Sequence, residues 1–202
     1  MKRIAPVFLS LLLLLAGCAV SAAPCTEDFV GTYPVEGYAP DPWDLAAVPY
    51  SYQGQGRLFS VQCTVRELTE AERTAKLQLT AACLSQLELT QKQHPEQADR
   101  CAFLIGQVST DLGHMQSARA LYVTEITATP LQDLPENALV RYTITSGGQT
   151  LLSSAATAGA VPWLSLVNTD DGLYSEGLLL PFQDEYTLHL TCADHSETIT
   201  LT

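Results

Sequence analysis

Basic residues are scarce in this chain, and after Arg141 there are none. The 202 residues hold 10 Lys and Arg against 22 Asp and Glu. Phosphate backbones repel such a chain, which argues against nucleic acid as a partner. Anionic lipid gains nothing from its charge either. A cationic partner stays open, although acidity chiefly serves solubility. Long apolar runs are also missing beyond the first fifteen residues. A bilayer span needs about 20 apolar residues, so the remainder reads as soluble.

Catalytic signatures are missing too. Ser153-Ser154 carries no nucleophile-elbow motif. Gly54 and Gly56 in Gly-Gln-Gly lack the third glycine and following helix of a phosphate cradle. Asn168, Asp170 and Asp171 with Gly172 suggest a calcium loop, but the further ligands and closing glutamate of that pattern are absent. A hairpin turn fits those residues better. No carboxylate pair is placed for acid–base work in a way sequence shows. The expectation is a protein that is not an enzyme and needs no cofactor.

What is present begins at the N-terminus. Lys2 and Arg3 give a positive start, Ile4–Leu15 is apolar apart from Ser10, and small residues follow. That order is a secretory signal peptide. Leu15-Ala16-Gly17-Cys18 resembles the lipobox of bacterial lipoproteins. The resemblance implies cleavage before Cys18 and acylation of its thiol and new α-amino group. Ala19 stands where Asp would retain such a protein at the inner membrane, so the resemblance implies the outer membrane. An ordinary signal peptide cut after Ala22, with Val20 and Ala22 as its small residues, is the alternative; an uncleaved anchor is a third. Cleavage before Cys18 leaves Cys18–Thr202. Losing Lys2 and Arg3 leaves 8 basic residues against 22 acidic, a formal net charge of −14.

The cysteines are Cys18, Cys25, Cys63, Cys83, Cys101 and Cys192. With Cys18 acylated or removed, an odd number remains, so one thiol is left over. An exported compartment favours disulfides. Cys83 and Cys101 lie on the apolar faces of two helices flanking His94-Pro95, and a hairpin folds those faces together. Their axial heights differ by roughly 7 Å, which fraying near Gln91 or a loop reaching Gln97 could absorb. Cys25–Cys63 or Cys63–Cys192 is the expected second bridge.

The organisation then reads as four parts: a signal peptide over 1–17, a lipid anchor with an irregular Tyr/Pro-rich segment over 18–66, a helical hairpin over 67–120 and a β-sandwich over 121–202. In the second part, five prolines from Pro24 to Pro49 exclude a long helix. Tyr33, Tyr38, Trp43, Tyr50 and Tyr52 suit a strap whose rings plug a core, or a ligand-facing surface. Arg57–Val65 alternates as one strand. In the third part, Thr69-Glu70-Ala71-Glu72 is a capping box. Leu77, Ala81 and Leu84, with Leu79, Cys83 and Leu87, make one wide apolar face. Pro95 opens a second helix with Ala98, Cys101, Ala102, Ile105 and Val108 as its stripe. Gly113 is expected to end or interrupt it. Gly106, Gly113, Ala118, Tyr122 and Pro130 resemble one tetratricopeptide repeat, but an array needs several.

After Leu121 the period becomes two. Leu121–Thr129, Ala138–Thr145, Gln149–Ser154, Val161–Asn168, Leu173–Leu180, Glu185–Cys192 and Glu197–Thr202 read as strands separated by turn residues. The fold class expected is α+β, a helical hairpin followed by an antiparallel sandwich. Leu180-Pro181 followed by Tyr186-x-Leu188-x-Leu190-x-Cys192 resembles the E–F corner and strand F of fibronectin type III and other Ig-like domains. The resemblance implies an Ig-like sandwich in which the Tyr186 hydroxyl bonds back near the corner. No strand-B cysteine and strand-C tryptophan match it, and Trp163 comes too late.

His189, Cys192 and His195 have the spacing of soft-metal ligands, and His114-Met115 is a second possible copper contact. Strand parity opposes the first set, because His189 and Cys192 point to opposite faces. No metal site is therefore expected. Three functions follow as expectations: a lipid-anchored, non-enzymatic binding or envelope-assembly module with a protein partner; an inhibitor of a cationic hydrolase such as lysozyme; and a periplasmic metal carrier.

Overall fold

The computed structural model describes residues 42–202, Leu178 excepted. Cys18, the alternative cut at Ala22, Cys25, Tyr33 and Tyr38 lie outside the described residues. The elements are α1 (Pro42–Ala47), β1 (Tyr50–Gln55), β2 (Phe59–Glu67), α2 (Glu70–Gln93), a 3-10 turn (Pro95–Gln97), α3 (Ala98–Ser117), β3 (Leu121–Pro130), β4 (Leu139–Ser146), β5 (Gln149–Thr157), β6 (Leu164–Thr169), β7 (Tyr186–Cys192) and β8 (His195–Leu201). The strands make two antiparallel four-stranded sheets, β1-β2-β3-β6 and β5-β4-β7-β8. The α+β class expected from the change of period is the one observed.

The core lies between the sheets. Phe59, Val61, Cys63 and Val65 alternate inward from β2, and Tyr186, Leu188, Leu190 and Cys192 alternate inward from β7. Burying each large apolar side chain stabilises the fold by about 1.5–3 kcal/mol. Trp163 stacks on Tyr142 at 5.4 Å and meets Phe59 edge-on at 4.9 Å. It is a core residue just ahead of β6.

The sandwich differs from expectation in its membership. Two of its strands come from residues 50–67, upstream of the helices. β1 lies in the stretch expected to be irregular. Pro49 is the last proline before it, and Tyr50 and Tyr52 then alternate inward with 8% and 3% exposure. For these two rings the core-plugging alternative is the observed one. Conversely, Leu173–Leu180 is not a strand. Thr169 and Tyr174 close a turn, with Thr169 N–H donating to the Tyr174 carbonyl at 2.9 Å and Tyr174 N–H to Thr169 Oγ1 at 3.0 Å. A single bridge, Asn168 to Ser175, follows. α3 also runs through Gly113 to Ser117 without a break.

Two contacts hold the sheets together at one side. Gln53 and Thr202 exchange both backbone hydrogen bonds, at 3.0 and 3.1 Å. A Cβ on Gly54 would sit 2.3 Å from the Thr200 carbonyl oxygen, so this approach requires glycine. Gly54 and Gln55 belong to β1, and it is the turn after Gly-Gln-Gly that gathers three N–H groups, which the chain's own Glu197 occupies. That carboxylate accepts from Arg57 N at 2.6 Å, Leu58 N at 3.0 Å and Phe59 N at 3.2 Å.

At the Tyr186 end of β7, beside the Gln53–Thr202 pair, the tyrosines gather. Tyr186 donates its hydroxyl to the Pro181 carbonyl and Tyr50 donates to Leu180. Gln183 N–H donates to the Tyr52 hydroxyl at 2.9 Å. The hydroxyl of Tyr186 thus makes the corner bond expected of it.

The helices interrupt a strand pair. β2 and β3 are adjacent and antiparallel, with Glu67 opposite Tyr122. Leu68 N–H donates to the Leu121 carbonyl at 2.8 Å, two residues before α2 begins. The helical hairpin is therefore inserted in the turn of a β-hairpin.

Candidate functional site

The inserted hairpin is the candidate site. Thr69 caps α2 reciprocally: Glu72 N–H donates to Thr69 Oγ1 at 3.3 Å, and Thr69 N–H donates to Glu72 Oε2 at 2.8 Å. Leu77, Leu84 and Leu87 are half-buried on the α2 seam, and α3 offers half-buried Ile105 and Val108 with buried Cys101 and Met115. These are spacings of three and four on both helices. The wide face expected on α2 divides, however. Leu79 lies on the other side and is 62% exposed. It heads an uncharged stripe of Ala75, Leu79, Ala82, Gln86 and Leu89, and Leu89 is 45% exposed. On α3, Phe103 is 66% exposed. α2 contains no fully buried residue, and α3 contains only Cys101 and Met115.

Only the base of the hairpin rests on the sheet. Met115, Ala118, Leu121, Val123 and Val167 form a small buried cluster there, flanked by Leu68, Leu77 and Tyr174. Polar braces surround it. Arg66 pairs bidentately with Glu72 at 2.8 Å and reaches Glu125 at 3.0 Å. Arg73 donates to the carbonyls of Ala118 at 2.7 Å, Arg119 at 3.0 Å and Met115 at 3.3 Å, satisfying the end of α3. Lys76 pairs with Glu176 Oε1, to which the Tyr174 hydroxyl also donates at 2.7 Å. Glu176 Oε2 takes the Val167 N–H at 2.8 Å.

The electrostatics follow from these partners. The Arg66 guanidinium, helped by Thr69, holds the Glu72 carboxyl down at about 2. Burial pushes the Tyr174 phenol up, and Glu176 and Asp111 push it further. Burial likewise raises Asp111, with His114 opposing and Glu176 adding to the rise. The cluster Lys76–Glu176–Tyr174–Asp111–His114 draws on three distant stretches of chain. Sequence reasoning missed it, because nothing local marks Glu176 as the partner of Lys76.

The remaining expected sites separate. Cys63, Cys101 and Cys192 are free thiols, and burial pushes Cys63 up to about 12. α2 stays helical to Gln93, and Gln91 Nε2 donates to the Ala98 carbonyl at 3.2 Å. The fraying near Gln91 that could bring Cys83 level with Cys101 is thus not observed. His189 is exposed and meets Thr198 at 3.0 Å, while Cys192 is 1% exposed in the core. They do face opposite ways. Met115 is fully buried, and the His114 Nδ1 beside it is buried with no hydrogen-bond partner among the described residues. No group of three metal-ligating side chains gathers among the described residues. Asp170 and Asp171 serve the turn: Asp170 accepts from Arg119 N at 3.1 Å, and Asp171 from Leu173 N at 3.0 Å. Among the described residues no helix is long and apolar enough to cross a membrane.

Comparison with protein-family models, with curated proteins and with solved structures returns no match.

Proposed function

We propose that this chain is an exported lipoprotein, anchored through acylated Cys18 to the outer membrane, whose helical hairpin docks a protein partner of the cell envelope. The reading is non-enzymatic: a binding or assembly module. One observation carries it. Leu79, Leu89 and Phe103 stand exposed on a hairpin that meets its own sandwich only at the base. Large exposed side chains on a projecting element support a docking face better than a structural one. The finer reading of the sandwich as Ig-like is supported by the Tyr186 corner bond. Against it stands the threading: the second and third strands are neighbours in one sheet, where an Ig domain sends its third strand to the other.

The test replaces Leu79 and Phe103 by Glu. Both are exposed, so the fold is retained. Crosslinking in intact cells followed by capture should recover a partner with the parent chain and lose it with the double variant. Equal recovery from both would exclude the hairpin. The inhibitor reading is favoured instead by a shallow cleft beside Ser146, where exposed Phe182 adjoins Gln183, Asp184 and Glu185. Protection of cells from lysozyme that survives the hairpin substitutions would support that alternative.

A further inference from the structure

The fold covers three of its four sheet edges. β1 and β8 are joined by the Gln53–Thr202 pair. β6 is covered by the returning chain: Glu176 N–H donates to the Val167 carbonyl at 3.0 Å, and the Glu176 carboxylate takes the Val167 N–H at 2.8 Å. β5 is the fourth edge, and among the described residues nothing pairs with its outer side.

An uncovered edge is ordinarily blunted by lysine, proline or a bulge. β5 reads Gln-Thr-Leu-Leu-Ser-Ser-Ala-Ala-Thr, with no charge and no proline. It has one irregularity, opposite Ile144 and Thr145, which leaves Leu151 as the extra residue near the turn. From Leu152 to Thr157 the strand is in regular register with Leu139–Ile144. That leaves a regular, neutral edge of small side chains available for pairing.

We propose that β5 joins two copies of this chain, antiparallel, so that two four-stranded sheets become one continuous sheet. The side chains choose the occupant. Opposite residues of an antiparallel pair share a face. With the two-fold axis at Ser154, Leu152 faces the partner's Ala156, and Ser153 faces the partner's Ala155. Large meets small on the core side, and small meets small on the outer side. The two Ser154 hydroxyls meet at the axis. A foreign strand would find neither a charge nor a pocket on β5 to select it. A chain of net charge −12 repels its copy at a distance, yet these nine neutral residues bring no like charges into contact. The interface is isologous and closes at two copies.

Light scattering of the full chain in a mild non-ionic detergent, over a concentration series, tests this. The expected mass is two copies. S153K/A155K places lysines directly opposite one another and halves the mass, with circular dichroism and melting unchanged. S154C, oxidised gently, gives a reducible crosslinked dimer that the parent chain does not give. A single-copy mass for the parent at every concentration overturns the proposal, as does a dimer that survives S153K/A155K. A dimer lost instead to the Leu79 and Phe103 substitutions belongs to the hairpin and also overturns it, without touching the hairpin's docking role.

Discussion

Glu72 does two jobs: it completes the cap of α2 and it holds Arg66. Its carboxyl titrates near 2 when folded against an ordinary 4.5. A lowered carboxyl stabilises the fold above its unfolded value, and that stabilisation disappears as pH falls from about 4.5 to about 2. Glu72→Gln should therefore cost stability at neutral pH and nothing near pH 2, so the two melting curves converge on acidification. The side chain is 41% exposed, and solvent screening holds the neutral-pH cost to about 1 kcal/mol, well short of what the full shift implies. Thermal melts across pH check this, and parallel curves would refute it. The cap itself was legible, because Thr69 and Glu72 are three apart and capping is local chemistry. So was the corner bond of Tyr186. The pairing of Lys76 with Glu176 was not, because a brace between residues a hundred positions apart leaves no trace in spacing.

At the scale of elements, the helical hairpin is removable. Leu68 and Leu121 already stand opposite one another at the end of β2 and β3. Replacing residues 69–120 by Asn-Gly would close the pair as a two-residue turn. Doing so uncovers Leu121, Val123 and Val167, which are changed to Thr in the same chain. The shortened protein should give a β-type circular dichroism spectrum and one cooperative melt. A molten or aggregated product would show that the hairpin is needed for the sandwich to fold. The helices and most strands were legible from their periods. β1 was not, because proline density up to Pro49 masked the Tyr50–Tyr52 alternation that follows at once. Leu173–Leu180 misled in the other direction: its apolar content is real, but Thr169 and Tyr174 close a turn that removes it from the ladder.

At the scale of the whole molecule, the proposed lipid anchor makes its own prediction. Cys18→Ser should shift the protein from the membrane fraction to the soluble one, or stall its processing; mature protein still sedimenting with membranes would end the lipobox reading. The sheet order was beyond sequence reasoning, since which strands share a sheet depends on pairings such as Val65 with Thr124, far apart in the chain. That same pairing bears on the speed of folding. Without helices, β2 and β3 would have to find each other across about fifty disordered residues. Closing such a loop, rather than one of a few residues, costs about 2 kcal/mol. Helices form within about a microsecond, from contacts that are all local. Once α2 and α3 lie side by side, Leu68 and Leu121 are already neighbours and the long search becomes a short one. The rate of folding should then follow helix stability in residues 70–117, none of which belongs to the main core between the sheets.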